Sequence, residues 1–495
     1  MTACITRGCI AALCMALGGC MVGPDFERPG APPADRYTAS PLALEAGPGA
    51  DAAQRVLPGH SPDRDWWRAF GSADLDRVVD DALAHNRTLA AAAATLTQAQ
   101  ELAAARAGAL APQVGATGGI GRQKYGAEFL GSSPKPPPFT YFAVGATISY
   151  ALDYTGGVAR AVEERYALAD YQRQQLEAAR LAVSGNAVVA ALQIAAARAQ
   201  IATLEAILDQ DRENLKLVNE AFAAGSVSRL DIVTAESQLA SDATQLPPLR
   251  QELAVARNAL AIVVGQPPAM VTLPAFDLAA ITLPAELPLT LPSELAHHRP
   301  DILASEAQLH AATAEVGVAT SNLYPQITLA ASGGLQATDF AHLFDRASNV
   351  FGLGGSLVAP LLDGGTLRAE QRAAVAAMHA RAAQYEATVL TAFGQVADTL
   401  EALDHDAEQL RGQTRAQDAA RDYLDLTRMS YHEGNVGVLQ VLDAQRLYQQ
   451  ARLGYVKAQA QRYLDTARLY LALGGGAPQS VAQSEKPPPS GAARS

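Results

Sequence analysis

Two periods alternate along this chain. Over 142–152 every second residue is apolar (Phe142, Val144, Ala146, Ile148, Tyr150, Leu152), with Ala143, Gly145, Thr147, Ser149 and Ala151 between them. A period of two predicts a strand with one apolar and one small or polar face. Residues 113–122 predict a weaker partner strand, with Pro134–Pro138 in the connecting loop. Pro325 opens a third strand, with Ile327, Leu329, Ala331 and Leu335 on one face. A fourth spans about 350–361, with Phe351, Leu353 and Leu357 together. Between these strands the period is helical. Helices are expected over about 72–110 (Ser72 as N-cap, Pro112 as stop), 157–222, 229–264, 300–322 and 366–431, and from 434 to Gly474-Gly475-Gly476. The 157–222 helix would be roughly 100 Å long at 1.5 Å per residue. Ordinary globular helices run about 8–20 residues.

The order of elements occurs twice. The interval from Gly225 to Gly434 equals that from Gly265 to Gly474. Leu230–Leu239 then aligns with Leu439–Tyr448. The chain reads as a duplicated unit of helix, β-hairpin, long helix, glycine turn and helix. A stripe of Ala382, Val389, Val396, Leu403 and Leu410, with Met378, Tyr385 and Ala392 beside it, repeats every seventh residue. That repeat predicts left-handed coiled-coil packing. The expected organisation is a leader over 1–19, an extended segment over 20–71, a first repeat over 72–268, a linker over 269–298, a second repeat over 299–476 and a disordered tail over 477–495.

Composition sharpens the picture. Alanine is frequent and aromatics are 6% of the 495 residues, which favours closely packed helices over a bulky core. The net charge of −12, with no basic block, argues against nucleic acid as a partner. All four cysteines (Cys4, Cys9, Cys14, Cys20) fall at the start. The string Leu17-Gly18-Gly19-Cys20, behind Arg7 and an apolar run from Gly8 to Leu17, has the form of a bacterial lipobox. On this reading Cys20 becomes the lipidated mature N-terminus, and the mature chain has no disulfide. Met21, rather than aspartate, follows the cysteine, which fits release to the outer membrane. Beyond the leader, no apolar run is expected to cross a membrane as a helix.

Strands of about ten residues can span a bilayer when tilted. In lipid their backbone groups must pair internally, so the sheet must close. Four strands cannot close, since barrels start at about eight. Strands in a membrane would therefore be shared among several chains. A soluble hairpin pair on a periplasmic domain is the other reading of the same residues.

Short motifs along the whole mature chain resemble the outer-membrane efflux lipoproteins of the TolC and OprM type. They are Cys20-Met21-Val22-Gly23-Pro24-Asp25-Phe26 with Arg28-Pro29; Trp66-Trp67 followed by Phe70; Pro292-Ser293-Glu294-Leu295; Arg299-Pro300-Asp301-Ile302 followed by Glu306; Leu442-Asp443-Ala444-Gln445-Arg446; and Leu473-Gly474-Gly475-Gly476. The resemblance implies an α+β membrane protein. It implies a homotrimer whose shared twelve-stranded β-barrel, four strands per chain, continues into a long periplasmic α-helical barrel. It implies an outer-membrane, lipid-anchored, gated passive duct for small toxic compounds such as drugs, dyes, detergents or aromatic acids. The partners implied are a periplasmic adaptor, an inner-membrane transporter and outer-membrane lipid. The tip turns would be Gly225 and Gly434, with Asp231 and Tyr431 as a gate latch. Tyr431 packing on its neighbour and Asp231 capping the next helix is the plainer reading of that pair. The family's arginine position and its turn carboxylate both fall on Val436, and its constriction carboxylate falls on Gln440, leaving Asp443 as a candidate acidic ring. His297-His298 also departs from the usual pattern.

No G-x-S-x-G elbow, P-loop or metal-spaced Cys/His cluster occurs, so neither an enzyme nor a cofactor is expected beyond the lipid on Cys20. Nine histidines are scattered; adjacent His297 and His298 would face different ways on a helix, and His85 and His405 fit solvated surfaces. Met21, Met270, Met378 and Met429 are too dispersed for a soft-metal site. A non-pore coiled-coil lipoprotein and a protein-secretion duct are the alternative functions.

Overall fold

A computed structural model of the chain describes residues 21–30, 34–39, 54–124 and 137–476. The leader, Cys20, residues 134–136 of the connecting loop and the 477–495 tail lie outside the described residues. In chain order the elements are β1 (Arg55–Pro58), α1 (Ala73–His85), α2 (Arg87–Ala107), β2 (Gln113–Gln123), β3 (Phe139–Leu152), α3 (Gly157–Ala223), α4 (Arg229–Ala243), α5 (Leu246–Val263), β4 (Glu286–Leu289), α6 (Pro292–Leu295), α7 (Pro300–Ser321), β5 (Gln326–Ala337), β6 (Asn349–Val358), α8 (Thr366–His432) and α9 (Val438–Ala472). A 3-10 turn covers Trp66–Phe70.

Two expected helices are split. The 72–110 helix starts at Ser72, whose side chain caps Leu75 N, but breaks at Asn86. There Asn86 Oδ1 accepts from Leu89 N at 3.0 Å while its Nδ2 donates to the Val263 carbonyl at 2.8 Å. The side chain offers the backbone a local partner that competes with helix continuation. The 229–264 helix breaks at Thr244-Gln245, just before Pro247-Pro248, which lack the N–H groups a continuous helix would use. The segment expected as coil before Pro62 contains β1, which pairs in parallel with β4. The helical expectation also missed a membrane-like window. One 18-residue stretch of α3 has mean hydropathy 1.5, enough by length and composition to cross a membrane. Of that window, 61% is buried inside the protein, as in an alanine-rich core helix.

The compact units cut across the sequence repeat. One comprises residues 1–29, 95–173 and 304–386; the other comprises 30–94, 174–303 and 387–495. The first contains a four-stranded antiparallel sheet in the order β2-β3-β5-β6. Its register pairs Gln113 with Ser149, Val144 with Leu335 and Leu329 with Gly355.

The second unit has the larger core. Trp66, Trp67 and Phe70 sit among Val188, Leu192, Leu400, Leu403, Leu469 and Tyr470. The Trp66 ring stacks on Tyr470 at 5.3 Å. The seven-residue stripe is the buried face of α8: Val389, Val396, Leu403 and Leu410 are buried, as are Tyr385 and Ala392 beside it. Ala382 and Met378 are only part-buried. Arg299, within the middle motif, is buried and donates to the Ala472 carbonyl at 2.7 Å, to Gln395 at 2.8 Å and to Asp301 at 2.7 Å. It thereby satisfies one of the carbonyls that the end of α9 leaves without a helical partner.

Candidate functional site

The sheet's register sorts its side chains into two kinds. One face carries Val114 and Ile120 from β2, Val144 and Ile148 from β3, Leu329 from β5, and Phe351, Leu353 and Leu357 from β6. These residues are exposed in the chain; Phe351 and Leu353 are 82% and 81% accessible. The opposite face carries Thr117, Thr147, Ser149, Thr328, Ser332 and Ser356 among glycines and alanines, with Tyr141, Val350 and Val358 toward the strand ends. An apolar face of this extent is energetically stable only against an apolar medium. At one end of the sheet Phe142 meets Phe340, and Phe340 meets Phe344, edge to face at 5.6 and 6.5 Å. At the other, the Tyr154 hydroxyl donates to the Pro325 carbonyl at 2.6 Å, near Tyr150 and Tyr324. Aromatic side chains at both ends of an apolar band match the interfacial girdles of transmembrane barrels.

The N-terminal motif is fastened to the same unit. Val22 N donates to the Thr155 carbonyl at 3.0 Å, just beyond the end of β3. Gly23, at φ +91, runs so close to Gly317 that a Cβ on it would lie 2.5 Å from the Gly317 Cα. Asp25 accepts from buried Arg160 at 2.5 Å, Arg160 also binds Glu163 at 2.8 Å, and Glu163 meets His310 at 2.9 Å. The Phe26 ring stacks on His310 at 4.4 Å, and Arg28 donates to Glu306 at 2.7 Å. The hydrogen bond from His310, with Arg160 beside it, holds the Glu163 carboxyl below the usual carboxylate range despite burial. The motifs had singled out Asp25, Phe26, Arg28 and Glu306, but their partners Arg160, Glu163 and His310 went unread; the spacing of Arg160 and Glu163 on one helix face was the signal for those.

The two glycine turns have one backbone design. Gly225 and Gly434 have φ +73 and +78. Gly225 N and Ser226 N donate to the Phe222 and Ala221 carbonyls, and Gly434 N and Asn435 N to those of Tyr431 and Ser430. Both are Schellman ends, which need a left-handed residue that glycine adopts without penalty. Each is followed by a helix capped from its third residue. Asp231 Oδ2 accepts from Ser228 N at 2.7 Å and Ser228 Oγ at 2.9 Å, and Gln440 Oε1 accepts from Gly437 N at 2.7 Å. The interval between the two glycines also separates Asp231 from Gln440, and Phe222 from Tyr431.

Asp231, assigned from the sequence to a latch, and Gln440, assigned to a constriction, thus occupy equivalent capping places. The structure bears out the capping reading of Asp231, which is buried. Its recorded bonds run to Ser228, while the Tyr431 ring meets His432 at 6.2 Å. Asp443 is exposed and accepts from Arg446 at 2.7 Å. His298 Nδ1 meets the Glu294 carbonyl at 2.8 Å, and no group of three metal-ligating side chains gathers among the described residues.

Two acid pairs were missed, each with a buried member on a long helix. Asp211 on α3 faces Asp242 on α4, and Asp406 on α8 faces Asp465 on α9. Burial first, then the neighbouring carboxyl, pushes Asp211 up to about 6 and Asp406 to about 7. The signal for Asp406 was present: it continues the seven-residue line through Tyr385 and Ala392, where a coiled coil places apolar residues.

A sheet with one apolar face and aromatic ends puts the chain among membrane proteins of the outer-membrane type. Known proteins narrow the class. The profile described as "Outer membrane efflux protein" matches residues 78–266 and again 291–475, and the chain belongs to that family. It is 33% identical to the pyoverdine export outer membrane protein OpmQ of Pseudomonas aeruginosa, over 88% of this chain and 93% of that one. It is 30% identical to the outer membrane protein OprJ of the same organism, over 94% of each. Among solved structures, the outer-membrane channel OprN superposes with a TM-score of 0.81 at 28% identity, over 92% of this chain and 99% of that one. VceC of Vibrio cholerae does so at 0.76 and 26%, over 84% and 99%. The protein is an outer-membrane efflux channel, and its family is one of transport channels rather than enzymes.

Proposed function

We propose that three copies pool their sheets into one twelve-stranded barrel, forming a passive duct of a tripartite efflux system. The carrying observation is the four-stranded sheet itself, with one apolar face and two open edges, β2 and β6. In lipid an open edge leaves N–H and C=O groups without partners, at several kcal/mol each in order of magnitude. Pairing β6 of one chain with β2 of the next removes every edge, and three chains reach a barrel size that closes. The long helices of the three chains line the periplasmic stretch of the passage. A periplasmic adaptor and an inner-membrane transporter supply cargo and energy, since the sequence carries no P-loop. Relatives named for pyoverdine, toluene and antibiotic efflux support small organic compounds as cargo.

Cys20 carries the lipid in this reading. Support comes from its neighbour: Met21 packs against Gly156 at the end of β3, where a membrane surface would lie. Cys20→Ser is expected to weaken targeting more than conductance; equal loss of both would reject a purely anchoring role. Gating is assigned to the two turns, with Asp231 Oδ1, Tyr431, Gln440 and Asp443 as the candidate side chains.

The test is the protein mass of the detergent-extracted complex, with cysteines placed along β2 and β6. Three copies, cross-linked edge to edge and conducting in planar bilayers, are expected. A stable monomer without conductance would favour the non-pore scaffold.

A further inference from the structure

The pair Asp211–Asp242 lies where three helices of one compact unit meet. Asp211 is 5% exposed, and its Oδ2 has no hydrogen-bond partner. Its Oδ1 accepts from Gln449 Nε2 on α9 at 3.3 Å. Asp242, within hydrogen-bond reach of Asp211, is held by Gln238 at 2.7 Å and Gln245 at 3.0 Å. Beside the pair is a cavity of about 130 Å³ lined by Asp211, Asn214, Gln238, Asp443, Arg446 and Gln449. The charged groups facing Asp211 are Asp242 from α4 and, across the cavity, Asp443 and Arg446 from α9. Arg446 is already spent on Asp443, so among the described residues around the cavity no free cation offsets the two carboxyls. A buried carboxylate in contact with a half-buried one cannot ionise cheaply beside it, and one proton shared between them resolves the conflict.

We propose that Asp211 and Asp242 form a proton-operated clasp that holds α4 against α3, beside α9, on the approach to the Gly225 turn. With one proton shared, Asp211 bonds Asp242 through Oδ2 and keeps Gln449 on Oδ1. Loss of that proton to bulk water leaves two facing carboxylates. They repel, water enters the cavity, and α4 moves off α3, while the ionised Asp211 keeps its hydrogen bond from Gln449 on α9. Asp211 precedes Gly225 by roughly four helical turns of α3, and Asp242 follows it by a similar stretch of α4. The pair therefore lies roughly 20 Å from the turn. A separation there loosens the helix pair that carries the turn. As a gating device this rests on the duct reading above; as a helix contact it does not.

The test uses the whole trimer in detergent, with spin labels at Leu217→Cys on α3 and Val233→Cys on α4, both exposed positions. Label separation is measured from pH 5 to pH 8, alongside single-channel conductance. In the otherwise unaltered protein the separation is expected to widen, with a midpoint near the value of about 6 for Asp211. Asp211→Asn retains the size and a donor, and should abolish the transition; Asp242→Asn should do the same. Asp406→Asn, in the other acid pair, should leave it in place. A transition that persists in both Asp211→Asn and Asp242→Asn overturns the clasp, as does an unaltered protein with no widening. Closure driven by added Ca2+ at fixed pH would overturn it in favour of a cation site. Widening in a protein that never conducts would uphold the clasp and reject the duct.

Discussion

The turn at Gly225 and the turn at Gly434 are two versions of one device. Their backbones make the same bonds, and both following helices are capped from the third residue. Their chemistry differs. The first uses a charged carboxylate and a serine, the second a neutral amide and a glycine. The helix after the first turn stops at Thr244-Gln245, whereas α9 continues unbroken to Ala472. Each half also buries one acid of a facing pair, Asp211 in the first and Asp406 in the second, but at different distances from the turn. Asp211 stands roughly four helical turns before its glycine, and Asp406 roughly eight before the other. Duplication kept the turn while the polar groups behind it diverged. A charge placed in one half therefore says nothing about the other.

The glycines give the most direct probe of that equivalence. Gly225→Val and Gly434→Val each force a β-branched residue into the left-handed region, at about 1–2 kcal/mol or more. Equal losses in thermal stability at both turns are expected; a marked inequality would show that the two are not interchangeable.

Next comes the pH dependence of the second half. The folded-state value of Asp406 lies above its ordinary 3.8, at about 7. Between those values the native state holds more protons than the unfolded one, so stability falls as pH rises. The contribution is complete below about pH 4 and is lost by about pH 7. Denaturant unfolding from pH 4 to 8 should show the slope, and Asp406→Asn should flatten it.

A smaller effect is expected from the caps. Asp231→Ala removes a carboxylate that accepts two hydrogen bonds at a helix N-terminus, worth about 0.5–2 kcal/mol. Gln440→Ala removes one neutral acceptor and should cost a few tenths of a kcal/mol in order of magnitude. Raised conductance in Asp231→Ala, beyond what Gln440→Ala gives, would assign Asp231 a latch as well as a cap. The smallest change is Tyr431→Phe, which recreates the Phe222 found at the equivalent place. Unchanged stability is expected, and single-channel recording decides whether the hydroxyl gates.

Features that depend on local pattern were readable from the chain. The period of two located all four strands of the sheet, the glycines located both turns, and Ser72 located a cap. Features that depend on a distant partner were not. Asn86 breaks a helix because Val263 offers it a carbonyl, and β1 exists because β4 lies beside it. The sequence leaves Asp231 between two roles because a side chain near a turn looks the same whether it caps or latches. Asp406 escapes notice because a carboxylate on an apolar stripe looks like an interruption until its partner Asp465 is seen.

The junction around Arg299 has a consequence for the order of events in synthesis. Its bonds run to Ala472, Gln54 reaches Thr466, and Trp66 stacks on Tyr470. Each ties an earlier part of the chain to the last described helix. None can form until nearly the whole polypeptide has been made. A nascent chain therefore cannot close this junction before its last described helix has been made.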